Sequence, residues 1–311
     1  VLDVLQPTQS ALAAASPAAA LAGHVATALA VGAACILVLA MAVALRAMLG
    51  KPRPVRARRW LLCGGLVLPG IGLAALAATS AWLSLVVSAD AEPAALRIEI
   101  SGRQFWWEVR YVGREGKHIV LANELHLPVG TPVLVRATSA DVIHGFWVPP
   151  LAGKVDMIPG RTRELRITAS RAGVFRGQCS AYCGTQHARM ALHVVAEDPI
   201  VFQSWLAQQA APAMPPADAS SKEGRDIFLR SGCGGCHTVR GSEAQGEIGP
   251  DLTHVGSRRT LAAGTLINHA GSLAAWVSSS QHIKPGNLMP SAAGLTPREL
   301  DLVVAYLQSL R

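Results

Sequence analysis

Two long apolar stretches without a single charged residue, 25–45 and 60–89, occupy the first third of the chain. Beyond residue 95 the pattern shortens to runs that alternate apolar and polar positions. LRIEIS, VLVRATS, TRELRITAS and MALHVVA each place every second side chain on one face, the period of a half-buried strand. VGREGK, LPVGTP and IPGR supply turn residues between them. Together they predict an all-β sandwich or barrel over 96–207. The last segment, 222–311, returns to helical spacing. Its final helix opens at Thr296-Pro297, a good N-cap followed by a proline at the first helical position, and Leu300, Val303, Val304 and Leu307 share one face. The piece between these segments, 208–221, is rich in proline, alanine and small polar residues and reads as a flexible to semi-extended linker.

At 1.5 Å per residue the first apolar stretch reaches about 32 Å, enough for a hydrocarbon core of about 30 Å. The second would reach about 45 Å, so it tilts or extends past the bilayer. An uncleaved signal peptide is the rival for the first stretch, and the second span behind it argues against that reading. Lys51, Arg53, Arg56, Arg58 and Arg59 lie between the stretches and place that loop in the cytoplasm. Both chain ends are then expected on the extracytoplasmic side of a bacterial inner membrane, with residues 1–95 forming an N-terminal segment and a two-helix hairpin. The net charge of +8 is dispersed rather than gathered into one patch, so nucleic acid is not an expected partner; membrane lipid is.

The six cysteines sort by position. Cys35 and Cys63 fall in the spans. The other four form two close pairs, each accompanied by a histidine. SGCGGCHTV contains C-x-x-C-H: Cys233 and Cys236 can form thioethers with a haem, and His237 can bind its iron. KPGNLMP places Met289 downstream as the expected second axial ligand, with His282 a weaker competitor. With IGPDL and the capped last helix, this segment resembles class I cytochrome c. The resemblance implies an all-α domain over 222–311 with one covalent haem c, His237 and Met289 being axial.

The other pair lies in QCSAYCGTQHARM: Cys179, Cys183, His187 and Met190 in one short loop, with His144 upstream in DVIHGFWVPP. Thiolate, imidazole and thioether suit copper better than calcium, magnesium or manganese. Zinc in a set of two cysteines and two histidines stays open on these residues alone, and so does a Cys179–Cys183 disulfide. DVIHGFWVPPLAGKVDMIPGR followed by GQCSAYCGTQHARM resembles subunit II of the haem–copper oxidases from about residue 20 to 206, and the domain after it resembles the fused cytochrome of the caa-type oxidases. The resemblance implies a multidomain membrane protein with a cupredoxin domain and a binuclear copper centre, CuA. Its ligands would be Cys179 and Cys183 as bridging thiolates, His144, His187, Met190 and the Ala181 backbone carbonyl. It further implies electron transfer from an upstream cytochrome c or bc1-type donor through haem and copper to subunit I, which carries haem a and CuB. Oxygen reduction to water and proton pumping would reside in that partner, and subunit III would be a further companion.

Three departures qualify that reading. Position 181, commonly glutamate in the family, is alanine, which puts a shared magnesium site in doubt; RARRWLLCGG lacks a carboxylate often present at the start of the second span. In GRQFWWEVRY, Phe105, Trp106 and Trp107 resemble the family's aromatic electron-entry patch, with Phe105 where tryptophan is usual. Adjacent residues on a strand face opposite ways, so one of Trp106 and Trp107 is expected in the core. The alternative function, a membrane-anchored copper-delivery or redox-sensing protein, would need neither Met190 nor a covalent haem.

Overall fold

The computed structural model describes residues 7–51, 56–89, 94–113 and 118–311. Arg53 of the basic run, Val1 and the tip of the VGREGK turn lie outside them. Two units emerge, residues 20–93 and the rest of the chain.

The first unit is helical. Helix α1 (Pro17–Leu49) starts eight residues before the apolar stretch does. The reason is local: the Ser16 hydroxyl accepts from the Ala19 N–H at 3.0 Å, and Pro17 needs no partner at the first helical position. Helix α2 (Ala57–Leu62) leads into a π-turn, Cys63–Val67, and then α3 (Leu68–Ala89). In the π-turn the Leu68 N–H reaches back to the Cys63 carbonyl, widening the helix next to Pro69, whose ring an α-helical turn would crowd. Apolar side chains such as Leu37, Ile71 and Trp82 are exposed all along these helices. Such a surface is stable only against lipid or other protein.

In the second unit, two five-stranded sheets pack face to face. One has the order β3 (His118–Ala122), β2 (Trp106–Val112), β1 (Leu96–Arg103), β5 (Val133–Ser139), β8 (Arg163–Ile167). The other runs β4 (Glu124–Pro128), β10 (Ala191–Glu197), β9 (Gly173–Cys179), β6 (His144–Trp147), β7 (Val155–Met157). The alternation in LRIEIS buries Ile98 and Ile100 against Trp107, Val109, Phe146, Phe175 and Leu192. β9 and β10 are antiparallel neighbours, with Gln178 opposite Ala191, so the cysteine loop is their connection. β6 pairs with β9 so that Phe146 faces Cys179, which brings His144 to the same end of the sandwich. An N-terminal segment adds to this sheet: the Thr8 N–H bonds the Val174 carbonyl and the Arg176 N–H bonds the Thr8 carbonyl, both at 3.0 Å.

Helix α4 (Pro199–Ala210), capped by Asp198, closes the sandwich with Phe202 and Trp205 against Tyr111. The helical domain follows: α5 (Ala219–Arg230), a short hairpin β11 (Thr260–Leu261) and β12 (Leu266–Ile267), α6 (Ala270–Ile283) and α7 (Pro297–Ser309). Thr296 and Glu299 form a full capping box on α7. Ile227 and Phe228 of α5 pack on Val303, Val304, Tyr306 and Leu307 of α7.

The linker departs from a free tether. α4 runs to Ala210 and Asp218 caps α5, so 211–218 alone lacks regular structure. Arg240 pins it, donating to the Gln209 carbonyl at 2.6 Å and the Ala210 carbonyl at 3.2 Å, while its own carbonyl accepts from the Ala213 N–H at 2.8 Å.

Candidate metal centres

The cysteine loop folds into a buried cluster of soft donors. Cys179 and Cys183 are both free thiols with Sγ atoms 3.8 Å apart, which sets aside the disulfide. His144 Nδ1 lies 3.9 Å from Cys179 Sγ, and His187 Nδ1 lies 3.7 Å from Cys183 Sγ. Met190 Sδ is 3.9 Å from Cys183 Sγ, and the Ala181 carbonyl oxygen is 3.1 Å from Cys179 Sγ. His144, Cys179 and Cys183 place their ligand atoms within 4.8 Å of one another. All six residues expected from the loop and His144 are thus brought together.

The electrostatics of the pair call for a cation. The Cys183 thiol, the His144 ring and nearby backbone N–H groups lower the Cys179 pKa despite burial. The same neighbouring sulfur and burial push Cys183 up. Two adjacent buried thiolates are therefore stable together only when positive charge sits between them. His144 is oriented for a cation there: its Nε2 donates to Asp141 Oδ1 at 2.7 Å, leaving Nδ1 for the sulfur side. Burial pulls its pKa down, but Cys179 and Asp141 together hold it above the ordinary value.

Asp141 and Gln104 were not found from the sequence. Asp141 also accepts from the Gln104 N–H at 2.6 Å, and Gln104 Nε2 donates to the Cys183 carbonyl at 2.6 Å. A carboxylate three residues before a ligand histidine was the available signal for Asp141; Gln104 offered none. Gly102 completes the shell, because a Cβ there would sit 2.6 Å from His144 Cδ2. Gly102→Ala should turn the imidazole away and weaken metal binding about 10–100-fold, the scale typical of outer-shell losses. Competition with a copper chelator measures it.

The second cluster is in the helical domain. His237 Nδ1 donates to the Pro250 carbonyl at 2.8 Å, so Nε2 is the nitrogen left for a metal. Burial holds the imidazole below its ordinary pKa, in the neutral form a ligand needs. Gly249 lies flat against that ring, where a Cβ would come within 2.5 Å of Cε1. Cys233 and Met289 pack on the same core, and Cys236 is half-buried and free. Met289 is fixed through its backbone: its N–H donates to Asn287 Oδ1 at 2.7 Å, and its carbonyl accepts from Ser280 Oγ at 2.7 Å. These residues fit a haem held by two thioethers and two axial ligands. His282 is exposed at the end of α6.

The aromatic run divides by strand side. Trp107 is fully buried against Phe146 and His144, so it cannot meet a partner at the surface. Trp106 is half-exposed beneath Arg103. Phe105 is 5 % exposed and lies against Gly184 of the cysteine loop.

A further buried cluster surrounds His126. His126 stacks on Trp205 at 3.7 Å, with Nδ1 2.8 Å from Glu197 and Nε2 3.2 Å from Glu124. Glu124 in turn accepts from the Arg259 N–H at 3.1 Å, joining the sandwich to the helical domain. Burial lowers the His126 pKa, but the two carboxylates outweigh it and raise the net value. Its contribution to stability is therefore full below the ordinary imidazole value of 6.5 and is lost as pH rises through the raised one. Thermal midpoints should decline as pH rises above 6.5, and His126→Gln should flatten that decline.

The sequence matches the family described as "Cytochrome C oxidase subunit II, periplasmic domain" over residues 111–197 and that described as "Cytochrome c" over residues 221–311. Cytochrome c oxidase subunit 2 of Alkalihalophilus pseudofirmus is 34% identical over 214 residues, covering 69% of this chain and 61% of the relative. The protein of that name from Branchiostoma floridae is 33% identical over 157 residues, covering 45% and 68%. A crystal structure of the periplasmic domain of subunit II of cytochrome oxidase from Bradyrhizobium japonicum is similar at 33% identity, covering 38% of this chain and 95% of that one, with a TM-score of 0.36. The chain belongs to the cytochrome c oxidase subunit 2 family. Copper and haem are the cofactors these two domains imply. The matches span about three fifths of the length of the first curated relatives, at 61%, 62% and 63%.

Proposed function

We propose that this chain is the electron-relaying subunit of a proton-translocating, caa3-type cytochrome c oxidase. Cys179 and Cys183 would hold two coppers through their thiolates, and His144, His187, Met190 and the Ala181 carbonyl would complete the CuA set. Cys233 and Cys236 would hold a covalent haem c, with His237 and Met289 supplying its iron ligands. When bound, the haem and the copper pair each supply a one-electron redox centre, and oxygen is reduced on subunit I. The chain's own residues set the conditions. Asp141 fixes the His144 tautomer, Gln104 braces the loop at Cys183, and Gly102 and Gly249 let protein pack flat on two ligand rings. Buried Phe146, Met190 and Leu192 keep water from the sulfurs.

The observation that carries this reading is the buried sulfur–imidazole cluster on one hairpin loop, followed on the same polypeptide by the haem-type site. The two helices anchor the chain in the bacterial inner membrane, with the loop of basic residues inside and both ends outside. The donor is a cytochrome c or bc1-type complex, and subunits I and III are the companions. Pulsed reduction of the purified chain tests the reading. A c-type haem band that decays as a copper band bleaches, one electron for one, supports it. A reducible thiol pair with no copper band would favour redox sensing, and copper lost readily to an acceptor protein would favour delivery.

A further inference from the structure

Lys284 is the least expected charge in the molecule. It sits at the C-cap of α6, only 2 % exposed, and its ammonium donates to three backbone carbonyls: Phe105 at 2.7 Å, Arg189 at 2.8 Å and Ala262 at 3.1 Å. Three N–H donors meet three acceptors, so the group is fully satisfied. None of the three is a carboxylate. Burying an ammonium against neutral carbonyls is a costly way to fill space, since an apolar side chain would suffice for packing.

What the lysine does is join segments distant in the chain. Phe105 lies over the cysteine loop, and Arg189 is the residue before Met190; both belong to the sandwich. Ala262 belongs to the β11–β12 turn of the helical domain. Neighbouring contacts share the same alignment. The Ala191 N–H bonds the Ala263 carbonyl at 3.1 Å, and the Arg189 guanidinium donates to the Ile283 carbonyl. Gly264 and Gly286, both at positive φ, come so close that a Cβ on either would be 3.1 Å from the Ala191 Cβ or Thr185 Oγ1 respectively. The KPGNLMP loop therefore rests on the CGTQH loop.

The lysine is also tied to Met289. Asn287 Nδ2 donates to the Lys284 carbonyl at 2.7 Å, and Asn287 Oδ1 accepts from the Met289 N–H at 2.7 Å. A short run of hydrogen bonds thus links the candidate iron ligand to the backbone beside a candidate copper ligand.

We propose that Lys284 is an interdomain latch, a positioning residue that holds the haem-bearing domain on the copper loop in one fixed pose. Electron transfer then occurs within a permanently docked pair rather than through encounters of a tethered domain. This rests on the function proposed above. One electron leaves the reduced haem iron and enters the copper pair; no bond or proton changes hands.

The test uses the full chain in detergent, native and as Lys284→Met. After pulsed reduction of the haem, the native transfer rate should not change when glycerol raises the viscosity severalfold. In Lys284→Met it should fall at least tenfold and become viscosity-dependent, with haem and copper spectra unchanged. In parallel, amide exchange at residues 184–191 and 260–264 should quicken at least tenfold in the variant, measured on the full chain as purified. A viscosity-dependent native rate overturns the latch, as does a variant with native exchange and native rate. Should Lys284→Met fail to fold, the native viscosity series and native protection of those segments still decide. Absent metal signals would refute the functional reading, whereas the exchange comparison, which reads no metal signal, judges the latch separately.

Discussion

Cys183→Ser should leave a folded, haem-bearing chain that has lost its copper pair and at least two orders of magnitude in haem-to-copper electron transfer. Serine keeps the volume of the side chain close to that of cysteine, and Cys183 is 4 % exposed, so the sandwich tolerates the exchange. Its hydroxyl is a harder donor with a far higher pKa, and it does not replace a bridging thiolate. What survives is one thiolate, Cys179, with His144 3.9 Å away and Met190 at the base of the loop. That set resembles a single-copper site, so copper content should drop to one per chain or none. Electron paramagnetic resonance distinguishes these, because an electron shared by two coppers gives a different hyperfine pattern from one localised on a single ion.

The largest effect on stability is expected at Gly224→Val. α5 crosses α7 so closely that any Cβ at position 224 would overlap the Leu302 carbonyl, with Tyr306 Cβ only 3.0 Å away. The obstacle is backbone, which cannot swing aside as a flexible side chain could. Separating the helices would open the core formed by Ile227, Phe228, Val303 and Tyr306. Overpacking of this kind costs about 3 kcal/mol or more. In a domain of this size that lowers the melting temperature by roughly 10–20 °C. Calorimetry of the full chain should show the helical domain's transition moved further than the sandwich's.

What the chain disclosed in advance follows from how local each signal is. The alternation in LRIEIS and VLVRATS marks β1 and β5 because one sheet face is buried, and period two is visible within six residues. The cysteine loop is legible for the same reason: four candidate side-chain donors lie within Gln178–Met190. His144 needed the resemblance to be placed, and the β6–β9 pairing explains its position. The start of α1 lies ahead of the apolar stretch because Ser16-Pro17 caps it, a local signal that hydropathy does not carry. The linker is shorter than 208–221 for a similar reason: Asp218 is a cap signal inside the low-complexity stretch, and the helix that Asp198-Pro199 opens runs on into it as far as Ala210. Asp141, Gln104 and Lys284 belong to a different class. Their partners are set by tertiary contact, across 37 residues for Gln104 with Asp141 and 179 for Lys284 with Phe105, and no local pattern encodes such pairs. The same holds for Trp107, whose place in the core follows from which face of β2 turns inward.

Every part of this account depends on two sulfurs and two imidazoles closing around a pair of coppers beside one covalent haem. Elemental analysis of the metal-loaded full chain, combined with paramagnetic resonance of its partly reduced form, tests this most directly. The account predicts two coppers for each iron and one unpaired electron spread equally over both coppers. A ratio of one or zero, zinc in their place, or an electron confined to a single copper would contradict it.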